Sequence, residues 1–357
     1  MKIAWLVNNI AQVGGIEQVV CGLSTYFVRV FGFDVTIFSI NTFEGVPFFQ
    51  IDKNVKINHC KLDWRKKARS ALRKTIGNVM NGLDADILLT CHSPISIGAI
   101  QNRHLFKGKI IVTQHCAYDF ESRKRRLLNA FFFRFADAFV VLTKRDRDFY
   151  QKMGCSPVVI PNAIYGKVGK RATLEDKILL SAGRLTAVKG YDLLINAFAQ
   201  VADKYPDWNL CICGDGEERH ALEQLTSTRN VQNRVVFPGF VDVSEYMSKA
   251  GAFVISSRSE GFPLVLVEAM AHGLPVVAYA IPPVLEICPQ SALLAPCGSI
   301  EALADGIEQI LSSASLREKL GDYSYNRAQQ YTIPVVAGKW AGLFEEVMIR
   351  KGHASWH

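Results

Sequence analysis

Short apolar runs recur along the chain, and most of them are separated by stretches with apolar residues at helical spacing. In the first half these runs cover residues 2–8, 34–40, 55–60, 87–91, 110–114, 138–142 and 158–160. Short, almost wholly apolar runs are typical of strands that are buried on both faces. Their alternation with helices predicts an α/β protein whose parallel sheets are covered by helices on both sides.

The same alternation continues in the second half, after a segment rich in glycine and lysine at 165–176. A chain of 357 residues is long for one core, so two domains are expected. We place the first domain at residues 1–165 and the second at 172–333. The segment 334–357 contains an amphipathic helix over 334–350 and is assigned to the first domain by a resemblance described below.

The most informative polar positions lie between two apolar runs of the second domain. A helix is predicted to begin near Pro263, because proline at the first helical position loses no amide hydrogen bond. Glu260 then lies in the preceding loop, and Glu268 lies in the early part of the helix. The backbone amides of Leu264 and Val265 would point unpaired from the helix N-terminus, which is a favourable site for phosphate.

Two carboxylates beside a phosphate site suit a ligand that carries hydroxyl groups on both sides of a diphosphate. A nucleotide sugar is such a ligand. The spacing of two glutamates alone is also typical of an ordinary loop and amphipathic helix with solvated side chains. The surrounding sequences Glu-Gly-Phe-Pro and Glu-Ala-Met-Ala-His-Gly-Leu-Pro-Val-Val make the pattern more specific.

Two other strand-to-helix loops have residues suited to phosphate. Arg184 and Lys189 lie in a loop between Gly183 and Gly190, where two cations can converge on one diphosphate. The alternative is a pair of surface charges, which the adjacent glycines disfavour. Near the start of the chain, a Gly-Gly pair ending at Gly15 opens a helix after the first strand, which suits phosphate and is equally typical of a purely structural turn. The dinucleotide fingerprint G-x-G-x-x-G is absent there.

Together these motifs resemble the signature of retaining GT-B glycosyltransferases, in particular glycosyltransferase family 4, also called glycosyl transferases group 1. The resemblance covers nearly the whole chain. It implies two Rossmann-like domains whose parallel sheets face each other across a cleft, with the C-terminal helix crossing back to the first domain. It also implies transfer of a sugar, with retained anomeric configuration, from a nucleotide sugar (a UDP-sugar) to a glycan or lipid-linked acceptor in cell-surface polysaccharide or glycolipid synthesis.

The resemblance assigns roles to individual residues. Arg184 and Lys189 would neutralise the departing diphosphate. Glu260 would hold hydroxyls of the donor sugar, and Glu268 would bind the ribose. His115, at the carboxyl end of the strand at 110–114, would lie within reach of the donor sugar, although a lone histidine there is also typical of packing. The remaining implied donor-binding residues are Gly15, Phe240, Val241, Gly261, Phe262, Leu264 and Val265.

No metal is expected, because Arg184 and Lys189 would neutralise the diphosphate charge that a metal ion neutralises in other enzymes. No other cofactor is expected, because the nucleotide sugar is a substrate. Asp84 and Asp86 form a D-x-D pair, which holds a metal–diphosphate in other glycosyltransferases. Here the pair runs directly into an apolar run, so we interpret it as a turn. Nine cysteines without a C-x2-C pair indicate reduced thiols and a cytoplasmic protein.

The positive charge is concentrated in the first domain. Residues 1–170 hold 25 Lys and Arg against 12 Asp and Glu, a net of +13, whereas the remainder holds 16 against 21, a net of −5. Basic clusters extend from Arg65 to Lys74 and from Arg123 to Arg126, each with apolar residues nearby. These clusters favour peripheral attachment to an anionic membrane at the inner face of the plasma membrane, with a solvated helix face as the alternative. No nucleic-acid-binding signature is present.

Two other functions are compatible with the same motifs. One is a GT-B sugar-nucleotide epimerase, and the other is a non-catalytic protein that binds nucleotide sugars. The joint presence of Arg184, Lys189, Glu260 and Glu268 argues against lost activity. A GT-B phosphorylase is disfavoured by the short chain and by the lack of a lysine context for pyridoxal phosphate.

Overall fold

The computed structural model describes residues 1–41, 45–62, 69–166, 170–290 and 292–350. The chain divides into two compact units, one formed by Met1–Tyr165 with Ile333–His357 and the other by Gly166–Thr332. Two parts of the predictions, the basic residues at 65–68 and the tail at 351–357, lie outside the described residues.

The first unit is built on a seven-stranded sheet in which all neighbouring strands run parallel. Its strands are β1 (Lys2–Val7), β2 (Asp34–Ser39), β3 (Lys56–His59), β4 (Ile87–Cys91), β5 (Lys109–Gln114), β6 (Ala138–Val141) and β7 (Pro157–Val159). The helices between them are α1 (Gly15–Arg29), α2 (Arg69–Met80), α3 (Ser93–Gln101), α4 (Arg123–Phe133) and α5 (Lys144–Lys152). Every residue of β4 and β6 is buried, as expected for strands covered on both faces.

The second unit is built on a six-stranded parallel sheet. Its strands are β8 (Ile178–Ala182), β9 (Asn209–Cys213), β10 (Val235–Gly239), β11 (Ala252–Ile255), β12 (Val276–Tyr279) and β13 (Ala292–Ala295). Its helices are α6 (Tyr191–Val201), α7 (Arg219–Thr228), α8 (Val243–Lys249), α9 (Leu264–Ala271), α10 (Pro282–Ile287), α11 (Ile300–Ser312) and α12 (Ala314–Ala328). The prediction of two α/β domains with parallel sheets is therefore confirmed.

The terminal helix, α13 (Ile333–Ile349), belongs to the first unit, although it follows the second in the chain. The Phe344 ring meets the Phe27 ring of α1 edge-on, with 5.5 Å between centroids, and Trp340 packs beside it at 5.7 Å. Phe344 and Phe27 are both fully buried. Burial of these aromatic rings explains the predicted return of the helix to the first domain.

The strand order reverses beside the first strand of each sheet. In the first unit the order is β3-β2-β1-β4-β5-β6-β7, so the chain switches direction between β1 and β4. In the second unit the order is β10-β9-β8-β11-β12-β13, and the switch lies between β8 and β11. Loops that leave the carboxyl ends of the two strands at such a switch diverge to opposite faces of the sheet, and the crevice between them is where open α/β sheets bind ligands.

Two features bear on the sequence predictions. Strand β10 ends at Gly239, so the implied donor-binding residues Phe240 and Val241 lie in the loop beyond it. Within the described part of the chain, no helix combines the length and the apolar character that crossing a bilayer requires.

Candidate functional site

The switch point of the second unit brings together the two loops that carry the strongest sequence motifs. The loop at 183–190 follows β8, and the loop at 256–263 follows β11, which is the neighbouring strand. Arg184 and Lys189 belong to the first loop, and Glu260 belongs to the second. The two motifs lie more than 60 residues apart along the chain, and the strand order makes them neighbours in space.

The two loops touch at Gly190. This residue has a φ of +67°, and a Cβ added to it would lie only 2.1 Å from the carbonyl oxygen of Ser256. Glycine is required for both reasons, because other residues disfavour this φ and because any side chain would clash with the backbone of the second loop. The hydroxyl of Ser256 donates to the Lys189 carbonyl at 3.0 Å, and the Arg258 amide donates to the Val188 carbonyl at 2.8 Å.

Arg258 extends this connection to the helix that follows the first loop. Its guanidinium donates two parallel hydrogen bonds to the carboxylate of Asp192, in the first turn of α6, at 2.9 and 2.6 Å. Bidentate pairs of this kind restrict orientation as well as distance. The pair lowers the pKa of the Asp192 carboxyl against the opposing effect of burial. The second loop is thus tied to the 3-10 turn Ala187–Lys189 and to the first turn of α6.

An ion pair between Lys189 and Glu260 lies at the centre of the two loops. The Lys189 ammonium is 2.6 Å from Glu260 Oε1, and the two side chains are 22% and 12% exposed. The Ser257 hydroxyl donates to the same oxygen at 2.7 Å. Glu260 Oε2 has no hydrogen-bond partner among the residues that the structure describes. The carboxylate is therefore held through one oxygen, with the other left for a ligand.

Tyr191 is a further polar residue of this pocket that sequence reasoning missed. It lines the pocket together with Lys189, Glu260 and Val265, and its hydroxyl lies 2.9 Å from where a Cβ of Gly183 would be. Burial raises the pKa of its phenol, and the nearby Glu260 carboxylate raises it further, so the group remains a protonated donor. Tyr191 directly follows Lys189 and Gly190 in the sequence. Its side chain points into the pocket because it is the first residue of α6, and the sequence alone did not show that direction.

Helix α9 begins beside the ion pair, one residue after the predicted start. Pro263 is its N-cap residue, and no side chain caps it. The first-turn amides of Leu264 and Val265 have no intrahelical acceptor and carry the positive end of the helix dipole. Val265 lines the same pocket as Lys189. This end of α9 therefore lies beside the pocket that contains the Lys189 ammonium, with Val265 among the lining residues.

The remaining residues predicted to bind the donor differ in their exposure to solvent. Arg184 is exposed in the loop after β8, whereas Phe262 is buried and Gly261 is partly exposed. Glu268 is partly buried on α9, and a Cβ added to Gly166 would lie 3.5 Å from its Oε1. Phe240 is 69% exposed beyond the edge strand β10, two strands away from β8.

A second candidate pocket lies at the switch point of the first unit. It has a volume of about 210 Å³ and is lined by Ile16, His92, Ser93, Pro94, Gln114, His115, Cys116, Glu121 and Arg125. Helix α1 begins at Gly15, next to Ile16. Its N-cap residue, Gly14, has no side chain that could accept a hydrogen bond from the first-turn amides of α1. The structure thus brings the loops after β1, β4 and β5 to one pocket. His92 lies at the end of β4, where its φ of +84° turns the chain.

The protonation state of His115 follows from its hydrogen bonds. The Thr113 hydroxyl donates to the Thr90 carbonyl at 2.9 Å, so it accepts a hydrogen bond from His115 Nε2, also at 2.9 Å. The proton is therefore assigned to Nε2, and Nδ1 is an acceptor. Nδ1 is buried and has no partner among the described residues. Burial, with a smaller effect of His92, lowers the pKa of the His115 imidazole to about 3, so the ring is neutral at neutral pH.

Asp84 and Asp86 bind Lys2 at the start of β1. The Lys2 ammonium contacts the Asp84 carboxylate, and the Lys2 amide donates to Asp86 Oδ2 at 2.7 Å. Both contacts fix the turn before β4. In the described ranges, no group of three or more His, Cys, Asp or Glu side chains has an arrangement that could hold a metal ion.

Two family models match consecutive parts of the chain. The model described as Glycosyltransferase Family 4 matches residues 13–165, and the model described as Glycosyl transferases group 1 matches residues 168–327. An uncharacterized glycosyltransferase of Haemophilus influenzae is 30% identical over 354 residues, covering 96% of this chain and 99% of the relative. The amylovoran biosynthesis glycosyltransferase AmsD of Erwinia amylovora is 26% identical and covers 95% and 98% of the two chains.

Solved structures of low sequence identity share the fold. A sucrose-phosphate synthase from Thermosynechococcus elongatus superposes with a TM-score of 0.84 at 22% identity, over 97% of this chain and 99% of the other. The Anabaena protein HepE, solved in complex with UDP, gives a TM-score of 0.78 at 18% identity, over 97% and 100% of the two chains.

The pKa of His115 leads to a prediction about acid stability. Between the unfolded pKa of about 6.5 and the folded pKa of about 3, only the unfolded chain binds this proton, so stability falls as the pH is lowered through that window. We expect His115→Gln to flatten this dependence, measured as the shift in urea midpoint between neutral pH and about pH 5. The exposed His104, replaced by glutamine, is the control. Identical pH dependence in the two variants would show that His115 does not carry the effect.

Proposed function

The chain belongs to the GT-B glycosyltransferases, and from that premise we propose that it transfers a sugar from a UDP-sugar to an acceptor hydroxyl with retention of anomeric configuration. The observation that carries the proposal is the contact between the two switch-point loops of the second unit, which places the Lys189–Glu260 pair beside the uncapped start of α9. The UDP bound to Anabaena HepE supports uracil as the base of the donor nucleotide.

The chemistry of the pocket suits departure of a nucleoside diphosphate. In the transition state the bond from the anomeric carbon to the phosphate oxygen breaks, and negative charge grows on the diphosphate. Lys189, Arg184 and the first-turn amides of α9 would stabilise that charge, and preorganised donors of this kind act most strongly where charge develops. A diphosphate in this position would take part of the Lys189 interaction that Glu260 has in the structure.

Glu260 is proposed to position the donor sugar. Its Oε1 is held by Lys189 and Ser257, so its Oε2 is available to accept a hydrogen bond from a sugar hydroxyl. We do not assign it as a covalent nucleophile. Glu268, four residues into α9, is proposed to accept hydrogen bonds from the ribose hydroxyls.

Retention is proposed to arise from attack on the same face of the sugar that the diphosphate leaves. The leaving phosphate oxygen would then take the proton of the acceptor hydroxyl, so no carboxylate base is required. His115 would contribute a neutral ring whose Nδ1 accepts a hydrogen bond from a sugar hydroxyl, in keeping with the buried, unpartnered state of that nitrogen among the described residues. The acceptor is proposed to be a growing cell-surface glycan, since the relative AmsD is named for biosynthesis of the polysaccharide amylovoran.

Peripheral attachment to anionic membrane is proposed to occur through α4, at the inner face of the plasma membrane. Arg123 and Lys124 are exposed at the start of this helix, and Leu127 and Phe131 are 56% and 54% exposed farther along it. A helix face with cations at one end and apolar side chains along it is suited to the lipid interface. Arg126 is excluded from this face, because its guanidinium stacks on the rings of Tyr118 and Phe149.

Loss of a diphosphate-binding cation should reduce turnover without unfolding the protein. We expect Arg184→Ala and Lys189→Ala each to lower kcat by about 10²-fold, because each removes a preorganised charge from the leaving group. Lys319→Ala, at an exposed position of α12, is the control and should retain normal turnover. Near-native kcat in either site variant, measured at saturating UDP-sugar, would refute its assignment to the diphosphate.

Metal independence can be tested separately. With cations and helix amides on the diphosphate, activity should survive prolonged dialysis against EDTA, and added magnesium or manganese should raise the rate less than about twofold. If EDTA abolishes activity and a divalent ion restores it, the proposed charge stabilisation is incomplete.

Membrane attachment should depend on the exposed face of α4. Arg123→Glu/Lys124→Glu should abolish sedimentation with liposomes that contain anionic lipid, and about 0.5 M salt should release the wild-type protein, because the attraction is screened. The control Lys107→Glu/Lys152→Glu makes the same change of charge at two exposed positions of the first unit. Equal loss of binding in the two double variants would indicate a general charge effect instead of a site on α4.

A further inference from the structure

His272 is a buried polar residue of the second unit that the proposed chemistry does not use. It directly follows the last residue of α9 and is 2% exposed. Its ring joins two helices, because Nδ1 is 2.9 Å from the Glu268 carbonyl oxygen of α9 and Nε2 is 3.1 Å from the Ser244 hydroxyl of α8. A buried imidazole with both nitrogens bonded has a fixed orientation, so it sets the separation of the two groups that it joins.

The direction of these two hydrogen bonds follows from the carbonyl group. A carbonyl oxygen only accepts, so His272 Nδ1 carries a proton and donates it to Glu268. In the neutral ring Nε2 is then an acceptor, and the Ser244 hydroxyl donates to it. An asparagine at position 272 could replace the first bond through its amide nitrogen, but its shorter side chain could not replace the second.

Ser244 lies at the start of α8, next to the loop at 240–242 that joins β10 to this helix. Asp242 of that loop caps α8, since its carboxylate accepts a hydrogen bond from the Ser244 amide at 3.0 Å. The other end of the loop is held at Gly239, which has a φ of +79° and whose carbonyl accepts from the Gly214 amide at 2.9 Å. The loop at 240–242 is therefore held at both ends.

The same hydrogen bonds reach the residues assigned to the two parts of the nucleoside. Phe240 and Val241, which are implied to bind the donor, belong to the loop at 240–242. Glu268, which is proposed to bind the ribose, supplies the carbonyl group that His272 contacts. His272 thus connects the loop on one side of the nucleoside with the helix on the other.

We propose that His272 is a positioning residue for the nucleoside. Through Ser244 it holds the loop at 240–242 at a fixed separation from Glu268, and this separation favours a uracil nucleotide over a purine nucleotide. A loop that is preorganised in its bound position reduces the ordering cost of binding, and a fixed spacing disfavours the longer purine nucleoside. The inference rests on the proposed function, because it assumes that the nucleotide sugar binds to the second unit.

Calorimetric titrations with UDP, GDP and inorganic diphosphate test this role. We expect Ser244→Ala to weaken UDP binding by about fivefold, the effect of one lost hydrogen bond, and to lower the ratio of UDP affinity to GDP affinity by a similar factor. Binding of inorganic diphosphate should be unchanged, because Lys189 and Glu260 keep their contact. A merely structural role for the bond would lower the melting temperature and leave the affinity ratio as it is in wild type.

Three further variants show whether the hydrogen bond itself carries the effect. Ser244→Thr retains a hydroxyl and should retain the wild-type ratio. The control Ser248→Ala removes a hydroxyl of the same helix that donates to the Glu245 carbonyl at 2.8 Å, and it should also retain that ratio. His272→Asn removes the bond to Ser244 from the other side, so His272→Asn/Ser244→Ala should bind UDP no more weakly than the weaker of the two single variants.

The outcomes separate this inference from the proposed function. The inference is overturned alone if wild type binds UDP and GDP equally, if Ser244→Ala and His272→Asn keep the wild-type ratio, or if their losses add in the double variant. Failure of the wild-type protein to bind UDP would overturn the proposed function and the inference with it.

Discussion

The contact between the loop at 183–190 and the loop at 256–263 is the constraint on which the candidate donor site depends. Gly190 permits it, because the carbonyl of Ser256 occupies the space of a side chain at that position. Once the loops touch, the Lys189 ammonium reaches Glu260, and the start of α9 lies beside both. The chemical groups come from three separate elements, and the close approach at Gly190, with the hydrogen bonds from Ser256 and Arg258, sets their spacing.

The reversal of strand order gives each unit a comparable place for a ligand, and the two places differ in charge. In the second unit, a lysine, an arginine and helix amides meet carboxylates. In the first unit, burial keeps His115 neutral, and its Nδ1 is an acceptor without a partner among the described residues. The place in the second unit suits a diphosphate and its charge, whereas Nδ1 of His115 in the first unit suits an uncharged hydroxyl. The proposed sugar transfer would use both, because the leaving group is anionic and the sugar is not.

The sequence was sufficient to predict the loops and helix starts that local chemistry determines. Pro263 marks a helix start and the glycines on either side of the Arg184–Lys189 loop mark turns, and these signals can be read from one sequence. Helix α9 begins within one residue of its predicted start. The sequence could not show that Lys189 pairs with Glu260, since that contact depends on β8 and β11 being neighbours. Arg126 is a similar case: it was grouped with Arg123 as a membrane contact, but its stacking on Tyr118 and Phe149 depends on tertiary packing.

Hydrogen–deuterium exchange of the full chain with and without saturating UDP tests the central claim most directly. The claim is that the switch-point loops of the second unit form the nucleotide diphosphate site. We predict slower exchange in peptides that cover residues 183–190 and 256–266, with no change in peptides from β4 and α3 of the first unit. Unchanged exchange in both loops at saturating UDP, or protection restricted to the first unit, would contradict the account.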